Sequence, residues 1–327
     1  MKYTLVIIAL ILVGTSEALI HTKKTFNHTA WGDQTFYYEY LPQGYGNGTK
    51  FPALIFLHGA GENANGPCTL TTLTKVTQNG GTPPYYIQNN IWPLDLPFIV
   101  ISPQAPWGHG VENVEIAVRI IKEAYTANAD LNRIYITGLS QGGGAVWNFL
   151  AANVNNGLNV AAAVPICAAA TPSSSSQYTT IASASVPIWT FHAWNDGSVN
   201  ITTTTIAWVN GLNAAGLTPT IKFTNFSSGG HGIWQHVYET NKTVNVNNYI
   251  YSWLLGYSRG STGSTTSTTG PATTVSTTST TSTTGPASTT STTGSGSTTS
   301  SSTTGSNCPA VEPQTVTMFG NCTCTCH

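Results

Sequence analysis

"ITGLSQGGGAVW", residues 136–147, follows a β-branched run with a serine held between two glycines, Gly138 and Gly142. Upstream, "RIYIT" (133–137) has the length and composition of a buried strand, and the small-residue run after Ser140 reads as a helix through Trp147 to Ala152. A chain that passes from strand to helix within two or three residues brings its backbone close to itself. Any Cβ at Gly138 or Gly142 is expected to collide across that elbow with the strand or helix backbone. The serine is left proud of the sheet's carboxyl edge, with the positive end of a helix behind it.

Working outward, the same kind of strand recurs. "TFYYEYL", "FPALIFL", "FIVIS" (98–102), "NVAAAVPI" (159–166), "VPIWTFH" (186–192) and "IKFTNF" (221–226) are short apolar runs. Between them, 111–127 places Val111, Val114, Val118, Ile121 and Tyr125 on one helical stripe, and further helices are expected near 202–214 and 245–255. Buried strands alternating with helices predict an α/β fold with a mostly parallel central sheet flanked by helices.

The ends of the chain differ from this body. Residues 1–18, "MKYTLVIIALILVGTSEA", read as a secretory signal: Lys2, an apolar run from Leu5 to Val13, and small residues before a cleavage expected after Ala18. That run is too short to cross a bilayer of ~30 Å as a helix. Residues 19–258 form the expected catalytic body. Residues 259–306 are almost wholly Ser, Thr and Gly, with "STTGPA" at 267–272 and 282–287, and read as a disordered linker suited to O-linked sugars. Residues 307–327 form a small tail with Cys308, Cys322, Cys324 and Cys326. Its Cys-x-Cys-x-Cys-His spacing matches no standard zinc finger, so disulfides are the expected use, and Cys68 and Cys167 in the body either pair or stay as thiols. Six sequons, at Asn27, Asn47, Asn200, Asn225, Asn241 and Asn321, fit a secreted glycoprotein. With 7% charged residues and a net charge of −1, the chain offers no basic surface for nucleic acid and no polybasic membrane anchor.

A serine hydroxyl needs a base, and the base needs a carboxylate to orient it. Beyond Ser140, the only acids in the body are Asp196 and Glu239. Asp196 lies in "HAWNDGS", just past a strand, where loops face the same edge as the elbow; His231 lies in "SSGGHGIW" after the next strand, among glycines that suggest a mobile loop. Tetrahedral oxyanions need N–H donors: Gln141 follows the serine, and "FLHGAGE" (56–62) lets Ala60 present its own between Gly59 and Gly61. Trp107, Trp194 and Trp234 sit on loops at this edge and suit an aromatic or sugar-bearing substrate. His58 and His192 end strands and read as loop-holding residues; His109 reads as a loop or helix-start residue, and His236, lacking flanking glycines, as a weaker base.

"FPALIFLHGAGE", "FIVISPQAPW", "DLNRIYITGLSQGG", "VPIWTFHAWND" and "GGHGIWQHVY" resemble the secreted esterases of the α/β-hydrolase fold. These include feruloyl and acetyl-xylan esterases, polyhydroxybutyrate depolymerases and their phospholipase/carboxylesterase relatives. "GLSQGG" is also similar to acyl-protein thioesterases. The resemblance covers about 51–255 and implies Ser140 as nucleophile, Asp196 as orienting acid, His231 as base, and Ala60 and Gln141 as the oxyanion hole. One departure is the acid's approach: relatives read His-Gly-x-x-Asp, and this chain has His192-Ala193-Trp194-Asn195-Asp196. The expected function is hydrolysis of carboxylic esters, polysaccharide-linked or polyester, without metal or organic cofactor. A serine peptidase on the same fold and an inactive, mucin-tailed surface protein are the alternatives.

Overall fold

The computed structural model describes residues 19–28, 33–152, 160–245, 247 and 249–260. The signal sequence, almost all of the Ser/Thr linker, the cysteine tail and the Asn321 sequon lie outside the described residues.

Eight strands form one sheet: β1 (His21–His28), β2 (Asp33–Tyr40), β3 (Phe51–Leu57), β4 (Ile99–Pro103), β5 (Ala129–Leu139), β6 (Ala162–Ile166), β7 (Trp189–Ala193) and β8 (Lys222–Phe226). Their order is β1-β2-β4-β3-β5-β6-β7-β8. β2 runs antiparallel to both β1 and β4, and every pair from β4 through β3 to β8 is parallel. Among the described residues, seven helical segments of α type accompany it: α1 (Pro83–Gln88), α2 (Val111–Ala124), α3 (Gln141–Ala151), α4 (Ser175–Ala184), α5 (Ala207–Ala214), α6 (Trp234–Val237) and α7 (Ile250–Leu255). None of the described helices is long and apolar enough to cross a membrane.

The period-two alternation of the strands divides the core into two layers. Ala53, Ile55 and Leu57 of β3 pack on one face with Val114, Val118 and Ile121 of α2, Val146 and Trp147 of α3 and Trp208 of α5. Leu54 and Phe56 point the other way, against Ile87 of α1 and Tyr251 and Leu254 of α7. Every residue of β3 is buried, as a central parallel strand covered on both sides requires.

Several elements depart from expectation. β1, "HTKKTFNH", is an edge strand whose lysines and weak alternation hid it. α4 is built from a Ser/Thr-rich stretch, started by a capping box between Ser174 and Gln177. The helix expected over 202–214 begins as a π-helical turn, Thr202–Ile206, before α5 takes over. Cys68 and Cys167 are separate thiols, so the body carries no disulfide between them. Cys68 points its thiol at the Gln104 carbonyl, and Cys167 is buried at the end of β6.

Candidate active site

β5 ends at Leu139, α3 begins at Gln141, and Ser140 alone makes the turn, with φ 53° and ψ −116°. This conformation is costly for a residue with a Cβ, of order 1–3 kcal/mol, and persists only where the surroundings enforce it. They do so here. Ser140 N–H donates to the Ile166 carbonyl (2.9 Å), and its own carbonyl accepts from Gly144 and Ala169 (both 2.9 Å). A Cβ at Gly138 would lie 2.6 Å from the Gly142 backbone and 2.9 Å from the Leu57 carbonyl oxygen. At Gly142 it would lie 2.2 Å from Leu57 O and 2.5 Å from His58 O. The two flanking glycines are therefore demanded by contact with backbone on either side of the elbow.

The loops after β7 and β8 meet this turn. His231 Nε2 stands 2.9 Å from Ser140 Oγ, and His231 Nδ1 stands 2.7 Å from Asp196 Oδ2. Residues 35 and 91 positions apart in sequence thus form one hydrogen-bonded series. His231 sits in a tight 3₁₀ turn, Gly230–Gly232, rather than a loose loop, and Gly230 N–H is tied to Asn195 Oδ1 at 2.9 Å. The Asp196 side chain is fully buried, while that of His231 is 23% exposed, so the imidazole can be reached from solvent. Burial works to raise the Asp196 pKa, but hydrogen bonds from His231, Val199 and Ser198 outweigh it and hold the group below the ordinary aspartate value. A carboxylate that stays ionised requires His231 to keep its proton on Nδ1, leaving Nε2 as the acceptor for the serine proton.

No protein-family model matches the chain, and no curated protein matches it in sequence. Solved structures do match. A thermostable esterase is 27% identical with a TM-score of 0.53, over 73% of this chain and 63% of that one, so the chain spans less than two thirds of that esterase. The feruloyl esterase module of Clostridium thermocellum, solved with sinapinate, is 16% identical (TM-score 0.51; 68% of this chain, 87% of that one). A carboxylesterase from Lactobacillus plantarum is 15% identical (TM-score 0.51; 72% and 97%). The chain has the α/β-hydrolase fold.

Within this fold, the loop after β3 lies against the elbow: a Cβ on Gly59 would come 3.7 Å from Ser140 Cβ. Ala60 opens a 3₁₀ turn (Ala60–Glu62) and Gln141 opens α3, and the first N–H of a helix has no intrahelical acceptor. Both expected donors are therefore free of their own elements. The orientation of the Ala60 N–H is set from behind. Buried His58 donates from Nδ1 to the Gly59 carbonyl (2.7 Å) and accepts at Nε2 from Ala105 N–H (3.0 Å). In a trans peptide the C=O and the following N–H point oppositely, so this bond turns the Ala60 N–H away from His58. Burial drives the His58 pKa down to about 4, which keeps the ring neutral and its tautomer fixed. His109 is buried with its ring 4.4 Å from that of His58, so it lies beside the loop that carries Ala60.

Trp107 and Trp194 are exposed, at 68% and 53%. The Trp107 carbonyl accepts from the Gln141 side chain at 3.2 Å, which places that loop over the start of α3. Trp234 begins α6 rather than lying in a loop; its ring meets that of His231 edge-on at 5.6 Å, and its Nε1–H points at the Gly80 carbonyl. Sequence reading did not foresee that His192 reaches Asp196, four residues on, because β7 ends between them.

Proposed function

We propose that this chain is a secreted serine hydrolase that cleaves carboxylic esters. The observation that carries the reading is the hydrogen-bonded series Ser140–His231–Asp196, at 2.9 and 2.7 Å, on a strained elbow beside two unspent N–H groups. In the first half-reaction, Ser140 Oγ attacks the ester carbonyl carbon while His231 Nε2 takes the hydroxyl proton. The Ala60 and Gln141 N–H groups receive the oxyanion, and Asp196 stabilises the imidazolium. Collapse of the tetrahedral intermediate expels the alcohol, which leaves with the proton from Nε2. Water then attacks the acyl-enzyme, with His231 again as base, and the acid departs as Ser140 recovers its proton.

Three tryptophans support a reading of the substrate class. Exposed Trp107 and Trp194, with Trp234 against His231, offer flat apolar surface suited to aromatic acyl groups or sugar-linked esters. The esterase and feruloyl esterase likenesses support this direction, and the Ser/Thr linker fits an enzyme that works on polymers outside the cell.

The test is a panel of p-nitrophenyl acetate, p-nitrophenyl butyrate, a feruloyl ester and a peptide anilide, with fluorophosphonate labelling. Ester turnover and labelling are expected, both abolished in Ser140→Ala, with the anilide untouched. Turnover of the anilide alone would favour a peptidase. A chain that neither labels nor turns over any ester would be a decayed hydrolase, and the proposal would fall.

A further inference from the structure

His192, next to last in β7, is fully buried, and both of its ring nitrogens meet polar atoms. Nε2 lies 3.1 Å from Asp196 Oδ2 and 3.2 Å from the Val199 carbonyl oxygen; Nδ1 lies 2.7 Å from Thr205 Oγ1. The two groups facing Nε2 can only accept, so the ring proton is on Nε2, and the Thr205 hydroxyl donates to Nδ1. Thr205 is itself buried and belongs to the π-helical turn Thr202–Ile206, a rare insertion of the kind found at functional sites.

The Asp196 carboxylate lies between the two imidazoles. Asp196 Oδ1 accepts the Ser198 and Val199 N–H groups at 2.8 and 2.9 Å, while Oδ2 accepts from His231 at 2.7 Å and has His192 Nε2 3.1 Å away, the same nitrogen that faces the Val199 carbonyl. The rings of His192 and His231 approach the same oxygen, so each constrains the lone pair left to the other.

Resting on the serine-hydrolase reading above, we propose that His192 is a positioning residue of this site. As a neutral imidazole it presents Nε2–H between the Val199 carbonyl and Asp196 Oδ2, steadying the carboxylate against His231, and it is itself aimed by Thr205. The titratable groups that face it are Asp196 and His231, with the Thr205 hydroxyl and the Val199 carbonyl completing its surroundings; the Cys167 thiol lies within electrostatic reach of Asp196. Burial lowers the His192 pKa, which keeps the ring an uncharged donor at neutral pH. Without that donor the Asp196 anion is less stabilised and more basic. It then holds a proton on His231 more strongly, and the acid limb of kcat/KM moves to higher pH.

The experiment uses the full chain with p-nitrophenyl acetate over a pH series, comparing wild type, His192→Phe, His192→Gln and Thr205→Val. His192→Phe is expected to lower kcat by about 10- to 100-fold with KM little changed, the range for loss of a partner that orients an active group, and to move the acid limb upward. His192→Gln keeps an N–H at the position of Nε2 and is expected to restore both; Thr205→Val should shift the limb in the same direction by less. An active wild type whose His192→Phe and Thr205→Val variants keep kcat and the limb unmoved overturns this proposal alone. Should His192→Phe fail to fold, Thr205→Val decides in the same way. A wild type with no ester turnover overturns the hydrolase reading and this proposal with it.

Discussion

The assignment of the oxyanion hole can be tested by deleting a single hydrogen atom's worth of chemistry, with Ala60→Pro. Proline removes the N–H and fixes φ near −65°, which suits the first residue of a helical turn, where the N–H has no partner to lose. Ala60 occupies that first position. The residue before proline must be extended, and Gly59 already is, at φ −81° and ψ −176°. Ala60 is exposed, so the ring meets no core contact. The substitution therefore costs the fold almost nothing, and it strips one of two donors from the transition state. Loss of one such donor is worth about 3 kcal/mol, or 10²- to 10³-fold in kcat. KM for p-nitrophenyl acetate should hold, because the donor acts on charge that develops only in the transition state. Ala60→Ser, which keeps the N–H, should stay within a few-fold of wild type. An Ala60→Pro variant with wild-type Tm and kcat within tenfold of wild type would refute the placement of the hole at Ala60.

Two further outcomes follow from the packing and from the buried imidazoles. Gly142→Ala would drive a Cβ to 2.2 Å from Leu57 O and 2.5 Å from His58 O, so the end of β3 must retreat by about 1 Å; we expect a loss of about 1–3 kcal/mol in urea unfolding and a fall in kcat/KM on the order of 100-fold, and a variant matching wild type in both would contradict the elbow geometry. His58 has its folded pKa lowered from 6.5 to about 4, so the unfolded chain binds its proton first; stability is complete above about pH 6.5 and falls by about 3 kcal/mol as pH drops to 4, and urea midpoints unchanged across that window would show that His58 is not held neutral.

What was legible in the sequence is what local physics dictates. The glycines around Ser140 could be read because backbone crowding at a strand–helix elbow admits nothing larger, and the central strands because a sheet covered on both faces needs unbroken apolar runs. β1 and α4 were not legible: an edge strand carries lysines in place of an alternating face, and a helix started by a Ser174 cap begins in residues that otherwise spell a loop. That His58 and His192 hold loops by hydrogen bonds is legible, but their partners are not, for a different reason. Both rings were read as holding loops. Which carbonyl or carboxylate each one meets depends on chain folded back from Ala105, Val199 and Thr205, and no spacing encodes those meetings.

Close backbone packing and the candidate chemistry occupy the same few residues, and the first is the means of the second. Gly143 and Gly144 press on the Ile166 and Ala169 carbonyls as Gly138 and Gly142 press on Leu57 and His58, so α3 enters the sheet with backbone against backbone on both sides. That closeness leaves Ser140 no relaxed conformation and brings the His58–Ala60 loop against it. The strain at Ser140 is thus sustained by the whole junction of β3, β5, β6 and α3. The base and the acid come from the far strands, β7 and β8, on turns tied by Asn195 and by the Val199 and Ser198 amides. A substitution at the junction should therefore disturb the nucleophile and the hole together and lower stability as well, whereas one in the β7–β8 turns should alter the proton path and leave the elbow intact.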